Sequence, residues 1–177
     1  YRDSRHPLHV SNAPRRFKHA IETVYKLMDD IIGKVMERLG PNDTLLVLSD
    51  HGFKSFHTGF SVNTWLAQNG YLGVKGQASA ENPATNTKYL QGIDWTRTRA
   101  YGLGLGSVYL NLTGRESGGI VVPAEARALL EELRAKLLEV TDPATGVRIL
   151  DAVYLGRDIY AGAQVEHAPD LQLGFRD

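Results

Sequence analysis

The chain is 177 residues long, with 42% hydrophobic and 23% charged residues, an ordinary composition for a globular protein with apolar material enough for a sizeable core. Lysine plus arginine and aspartate plus glutamate balance at 20 each, so no global charge recruits a nucleic-acid duplex or an acidic membrane. There is no cysteine, which excludes disulfides, thiolate zinc sites and thiol catalysis, and no apolar run nears the roughly 20 residues of a membrane span.

The opening "YRDSRHPLHVSNAP" is polar and irregular. Its first residue, Tyr1, is not a natural start, and the sequence reads as a piece excised from a longer, soluble protein, with the cytoplasm favoured. Phe17, Ile21, Val24, Met28, Ile31, Ile32, Val35, Met36 and Leu39 then recur at three- and four-residue steps, which predicts one face of a long amphipathic helix. Asn12 is placed to cap it, Pro14 to occupy its first turn, and Gly40-Pro41 to stop it. After the turn "PNDT", Thr44 to Leu48 form a continuous apolar run, the pattern of a parallel strand buried on both faces. Helix, short loop and buried strand are α/β grammar.

Ser61 is placed to cap a short helix that Asn69-Gly70 ends. Residues 73–92 are small and polar and predict a mobile surface excursion. "SVYLNL" (107–112) alternates as a half-buried strand. Pro123 opens a helix carrying Leu129, Leu130, Leu133, Leu137 and Leu138, a core stripe. "VRILDAVYL" and "APDLQLGF" predict two further strands. "GLGLGS" has the wrong spacing for a dinucleotide fingerprint and leads into a strand, so its glycines predict a tight turn. "NLT" at Asn111 matches a glycosylation sequon at a strand end, and no role is assigned to it.

The run "TLLVLSDHGF" (44–53) carries the chemistry. Ligands of open α/β sheets bind beyond the carboxyl ends of strands, and Asp50 and His51 sit at such an end. Carboxylate oxygen and imidazole nitrogen are both good ligands for Zn²⁺ or Mn²⁺. Consecutive strand side chains point to opposite faces, but at a strand end Gly52 permits the backbone to turn and the pair to converge. On the dipeptide alone two readings stand: a metal-ligand pair, or a turn cap beside a loop histidine.

"DTLLVLSDHGF", "VNTWLAQNGYL", "TRAYGLGLGSVYLNLTGRESGGIV", "TDPATG" and "APDL", in this order, resemble the alkaline phosphatase superfamily, in its type I phosphodiesterase/nucleotide pyrophosphatase branch. The resemblance spans nearly the whole chain. It implies an alkaline-phosphatase-like α/β fold: a mostly parallel central sheet flanked by helices, with some antiparallel strands. Residues 1–177 would be the C-terminal-side portion of one such domain. It implies two metal ions, zinc with manganese as the alternative, a Ser or Thr nucleophile that takes the phosphoryl group, and a phosphate ester or nucleotide as substrate. Asp50 and His51 would help hold the metal that activates the nucleophile.

The rest of the family's site has no match here. The early Asp, the nucleophile and an Asp-x-x-x-His pair belong upstream, and a late His downstream. Asp3 and His6 are one residue too close for that pair and read as plain loop, as does His9. His19 falls inside the first helix as a surface or packing residue. His57 is a candidate substrate contact with a plainer reading as a loop histidine, and Lys54 and Thr58 are weighed alike. His167, in "EHAPDL", precedes the late-histidine segment. Arg97, Arg99 and Arg115 are either phosphate contacts or solvated side chains. Trp65 and Trp95 read as packing residues. The excised chain is therefore expected to bind metal weakly, to be inactive by itself, and to self-associate through exposed sheet edges. The alternatives are a non-catalytic binding or assembly module on the same fold, another superfamily hydrolase (phosphomonoesterase, phosphonate hydrolase or sulfatase), and an unrelated α/β domain in which "SDHG" is coincidental.

Overall fold

A computed structural model of the chain describes residues 4, 6, 9–11, 17–53, 59–75, 90 and 92–176. It divides into two compact units, Tyr1–Gly59 and Phe60–Asp177.

The first unit is built on α1 (Ala20–Met36), which covers most of the apolar run that the periodicity singles out. Its predicted caps, Asn12 and Pro14, lie outside the described residues. His19 is not inside the helix. It is the N-cap residue, and its ring bonds the Glu22 carboxylate at 2.9 Å. No residue of α1 is buried. The turn at Gly40 closes as expected, with the Gly40 N–H donating to the Asp43 carboxylate at 2.8 Å. The run 44–48 departs from expectation. It forms no strand, and Leu46, Val47 and Leu48 are 77%, 66% and 82% exposed. The physical reason is that a parallel strand has no hydrogen bonds of its own. It exists only as a member of a ladder, and no described segment pairs with this one.

The second unit is an antiparallel sheet with helices against it. Ser61 caps α2 (Val62–Gln68), its hydroxyl accepting the Thr64 N–H. Gly70, at φ +76°, turns the chain back, and the Tyr71 N–H donates to the Leu66 carbonyl at 2.8 Å. The strands β1 (Gly73–Val74) and β2 (Ile93–Asp94) pair antiparallel at the foot of the polar excursion. Residues 76–89 and 91 of that excursion lie outside the described residues. A 3-10 turn, Trp95–Arg97, then leads to β3 (Ala100–Leu103) and β4 (Ser107–Leu110). Gly104 and Gly106 of "GLGLGS" sit at φ +76° and +82°, the left-handed backbone that a tight hairpin turn needs. α3 (Pro123–Leu138) is followed by β5 (Leu150–Leu155), the short α4 (Gly156–Ile159) and β6 (Leu171–Phe175).

The four-stranded sheet runs β3-β4-β6-β5 with every neighbour antiparallel. The mostly parallel central sheet is thus not found among the described residues, where the parallel pairings are isolated bridges such as Leu112 with Val121. Only β3 and β4 are joined by a hairpin-length connection; β5 and β6 are linked through α4, and β4 meets β6 after α3 and β5 have intervened, so the antiparallel order is set by the direction in which each strand returns to the sheet.

One face of the sheet is closed. Leu129, Leu133 and Leu137 of α3 lie in one buried cluster with Val108, Leu110, Leu150, Val153, Leu171 and Leu173. The 3.6-residue period of the helix and the 2-residue period of the strands meet there. Beside it, the buried Tyr71 donates its hydroxyl to Glu132 at 2.5 Å and accepts from Lys136 at 2.8 Å. At the edge of β3, the Asn63 side chain mimics a strand: it accepts the Gly102 N–H at 2.6 Å and donates to the Gly102 carbonyl at 2.9 Å. Gly156 packs so closely that a Cβ there would run into the Pro169 carbonyl oxygen.

Leu133 is fully buried, so Leu133→Ala is expected to lower the stability of this unit by about 2–5 kcal/mol. Urea unfolding followed by tryptophan fluorescence measures it, and a loss under 1 kcal/mol would contradict the packing described.

Candidate metal centre

Asp50 and His51 follow the apolar run, and the structure brings them together. The His51 Nε2 lies 3.5 Å from the Asp50 Oδ2. On the other side of the ring, Nδ1 lies 2.9 Å from the Gly52 carbonyl oxygen. Carbonyl and carboxylate oxygens only accept, and each ring nitrogen faces one of them; as a metal ligand the ring would keep its proton on Nδ1, toward Gly52, and offer the Nε2 lone pair. The Asp50 Oδ1 accepts the His51 N–H at 3.1 Å, which leaves Oδ2 turned toward Nε2. Both side chains are open to solvent, at 67% and 87% exposure for His51 and Asp50.

This arrangement fits half of a divalent-metal site. A tetrahedral ion with both donors about 2.0–2.1 Å away would space them by about 3.3 Å, close to the observed separation. Among the described residues no cluster of three or more histidine, aspartate or glutamate side chains completes the shell. The two side chains lie side by side without reaching the three protein ligands of a catalytic zinc, and Gly52 is not among the glycines with left-handed backbone.

The other histidines are placed as follows. His6 is half-buried, and its carbonyl accepts the His9 N–H at 2.8 Å. The Nδ1 of His9 is buried without a hydrogen-bond partner. His167 sits exposed in a 3-10 turn, Val165–His167. Asp3, Lys54, His57 and Thr58 lie outside the described residues.

Arg115 is neither a phosphate contact nor a solvated side chain. Its guanidinium is spent inside the protein: Nη2 and Nη1 donate to the Asp170 carboxylate at 2.6 and 3.1 Å, Nε to Glu116 at 2.8 Å, and Nη2 also to the Leu110 carbonyl at 2.8 Å. Burial alone would lower its pKa, but the bonds to Asp170 and Glu116 outweigh that and raise it above the usual arginine range. No local sequence signal links positions 115 and 170. Arg97 and Arg99 are exposed, and the Arg99 guanidinium lies 5.8 Å from the Tyr71 ring centre. Trp65 and Trp95 are packing residues, stacked on Tyr71 and set edge-on to Tyr101. Asn111 is 1% exposed, and its side-chain N–H groups face the Trp95, Thr98 and Gly118 carbonyls. The sequon at Asn111 is thus closed to glycosylation in the folded chain.

Residues 6–177 match the family model of type I phosphodiesterase / nucleotide pyrophosphatase. The chain belongs to that family, a branch of the alkaline phosphatase superfamily. The family is one of hydrolases that act on phosphate esters or nucleotides, and it is generally metal-dependent. No curated protein and no solved structure matches the chain. Among the described residues no helix is long and apolar enough to cross a membrane.

Tyr101 titrates with the Arg115 network. Its phenol is pushed up to about 12, by burial first and by the Glu116 carboxylate second. In the unfolded chain it ionises near 10. The stability it contributes is therefore whole below pH 10 and lost as the pH rises through about 12. Tyr101→Phe is expected to flatten the fall in unfolding free energy across that window. Denaturant titrations at pH 9.5, 11 and 12 check it, and an unchanged slope would remove Tyr101 as the source.

Proposed function

We propose that the chain is part of a metal-dependent phosphodiesterase or nucleotide pyrophosphatase in which Asp50 and His51 are ligands to one of two divalent ions, zinc or alternatively manganese. The observation that carries this reading is the placement of His51 Nε2 and the Asp50 Oδ2 facing one another at a metal-compatible spacing, with Nδ1 turned to the Gly52 carbonyl on the other side of the ring. When bound, the metal supplies Lewis acidity toward phosphate oxygens and lowers the pKa of a hydroxyl nucleophile. Asp50 contributes charge neutralisation and His51 a neutral nitrogen. The nucleophile, a serine or threonine that takes the phosphoryl group before water releases it, and the remaining ligands come from polypeptide outside 1–177. On this reading 1–177 is the C-terminal-side portion of one α/β domain, and His57 is a substrate contact.

Two protein ligands are fewer than catalytic zinc keeps, so the isolated chain binds metal weakly and hydrolyses little. Calorimetry with Zn²⁺ and Mn²⁺, with hydrolysis of bis-p-nitrophenyl phosphate, tests this on the chain and on the full-length protein. Full-length protein is expected to bind about two metals and to turn over the diester. Asp50→Ala/His51→Ala should cut activity more than ~100-fold, since loss of outer-shell partners alone costs 10–100-fold. A double variant that binds metal and hydrolyses normally would sink the reading.

The same proposal includes self-association of the isolated chain. The apolar side chains of α1 and of 44–48 are exposed, and unpaired backbone beside apolar side chains is a template for strand pairing. Sedimentation velocity should show mass rising with concentration, and Leu46→Lys/Leu48→Lys should return it toward 19.5 kDa. A monomer at all concentrations would exclude it.

A further inference from the structure

The geometry of 49–53 points to Ser49 as a positioning residue that presents His51 to a divalent cation, an inference that rests on the metal-ligand reading above. Three short-range hydrogen bonds divide the work. The His51 N–H fixes the Asp50 Oδ1 at 3.1 Å and leaves Oδ2 free to ligate. The Gly52 carbonyl holds Nδ1 at 2.9 Å and leaves Nε2 on the side of the Asp50 Oδ2. The Ser49 hydroxyl donates to the His51 carbonyl at 2.6 Å and so holds the 51–52 peptide, which lies between the backbone groups that the other two bonds use. The Phe53 ring stands edge-on to the imidazole, with centroids 5.6 Å apart and planes at 68°.

Every partner lies within two residues of His51. The bite is therefore written into five consecutive residues and forms here although 44–48 is not a strand. The Ser49 hydroxyl bonds a backbone carbonyl and not a ligating atom, so it acts on the metal only through the backbone that carries the ring.

The test uses the whole chain with ¹⁵N-labelled histidine. Long-range ¹H–¹⁵N spectra report which ring nitrogen is protonated, and His51→Ala assigns the signal. The wild type is expected to hold the proton on Nδ1. Ser49→Ala should move part of the population to Nε2–H and weaken Zn²⁺ binding roughly 5-fold, the loss of one ordinary hydrogen bond. Ser49→Thr, which keeps the hydroxyl, should restore both. Circular dichroism separates these effects from misfolding, because Ser49→Ala should leave the spectrum unchanged. A wild-type His51 protonated mainly on Nε2, or a Ser49→Ala variant with unchanged tautomer and zinc affinity, overturns the proposal. If zinc binding needs Asp50 but ignores Ser49, only the positioning role falls. If wild type and Asp50→Ala bind zinc alike, the ligand reading falls and takes this proposal with it.

Discussion

The Arg115–Asp170 ion pair is the interaction on which the second unit depends. The β4–β6 ladder is short, pairing Ser107 with Gln172 and Val108 with Leu171. Where it ends, the Asp170 carboxylate takes over and accepts the Leu110 N–H at 2.7 Å. Pro169, just before it, has no N–H to offer. The side chain therefore extends the ladder by one bond, and Arg115 neutralises the charge that this leaves half-buried. Residual exposure of the two side chains is 22% and 16%. At that burial a single unpaired partner would be costly, and Arg115 meets it with four hydrogen bonds from its guanidinium.

The pair also ties together segments that carry no chemistry individually. Arg115 bonds Glu116, whose carboxylate accepts the Leu112 N–H at 2.7 Å and the Tyr101 hydroxyl at 3.3 Å. Through Tyr101 the network reaches the stacked Tyr109 and the edge of Trp95. The buried Asn111 gathers the carbonyls of the turns on either side. "TRAYGLGLGSVYLNLTGRESGGIV" and "APDL" are thus two halves of one polar buttress behind an apolar core.

The first unit obeys the same rule by its opposite. Backbone donors and acceptors demand partners, and 44–48 has no described strand beside it. What survives is the part that needs no distant partner: α1, whose hydrogen bonds are internal, and the turn 49–53, whose bonds span one or two residues.

Local order was legible in the sequence. The periodicity of α1 and α3, the cap at Ser61 and the hairpin glycines all rest on interactions a few residues apart, and their periods and side chains announce them. The family was legible because its motifs lie in order along nearly the whole chain. Tertiary structure alone decided which strands pair, that their neighbours run antiparallel, that Arg115 is consumed by Asp170 instead of facing phosphate, and that Asn111 is closed to modification. These facts join positions tens of residues apart. No local propensity encodes them, because their free energy comes from burial and charge neutralisation that exist only once the sheet has closed.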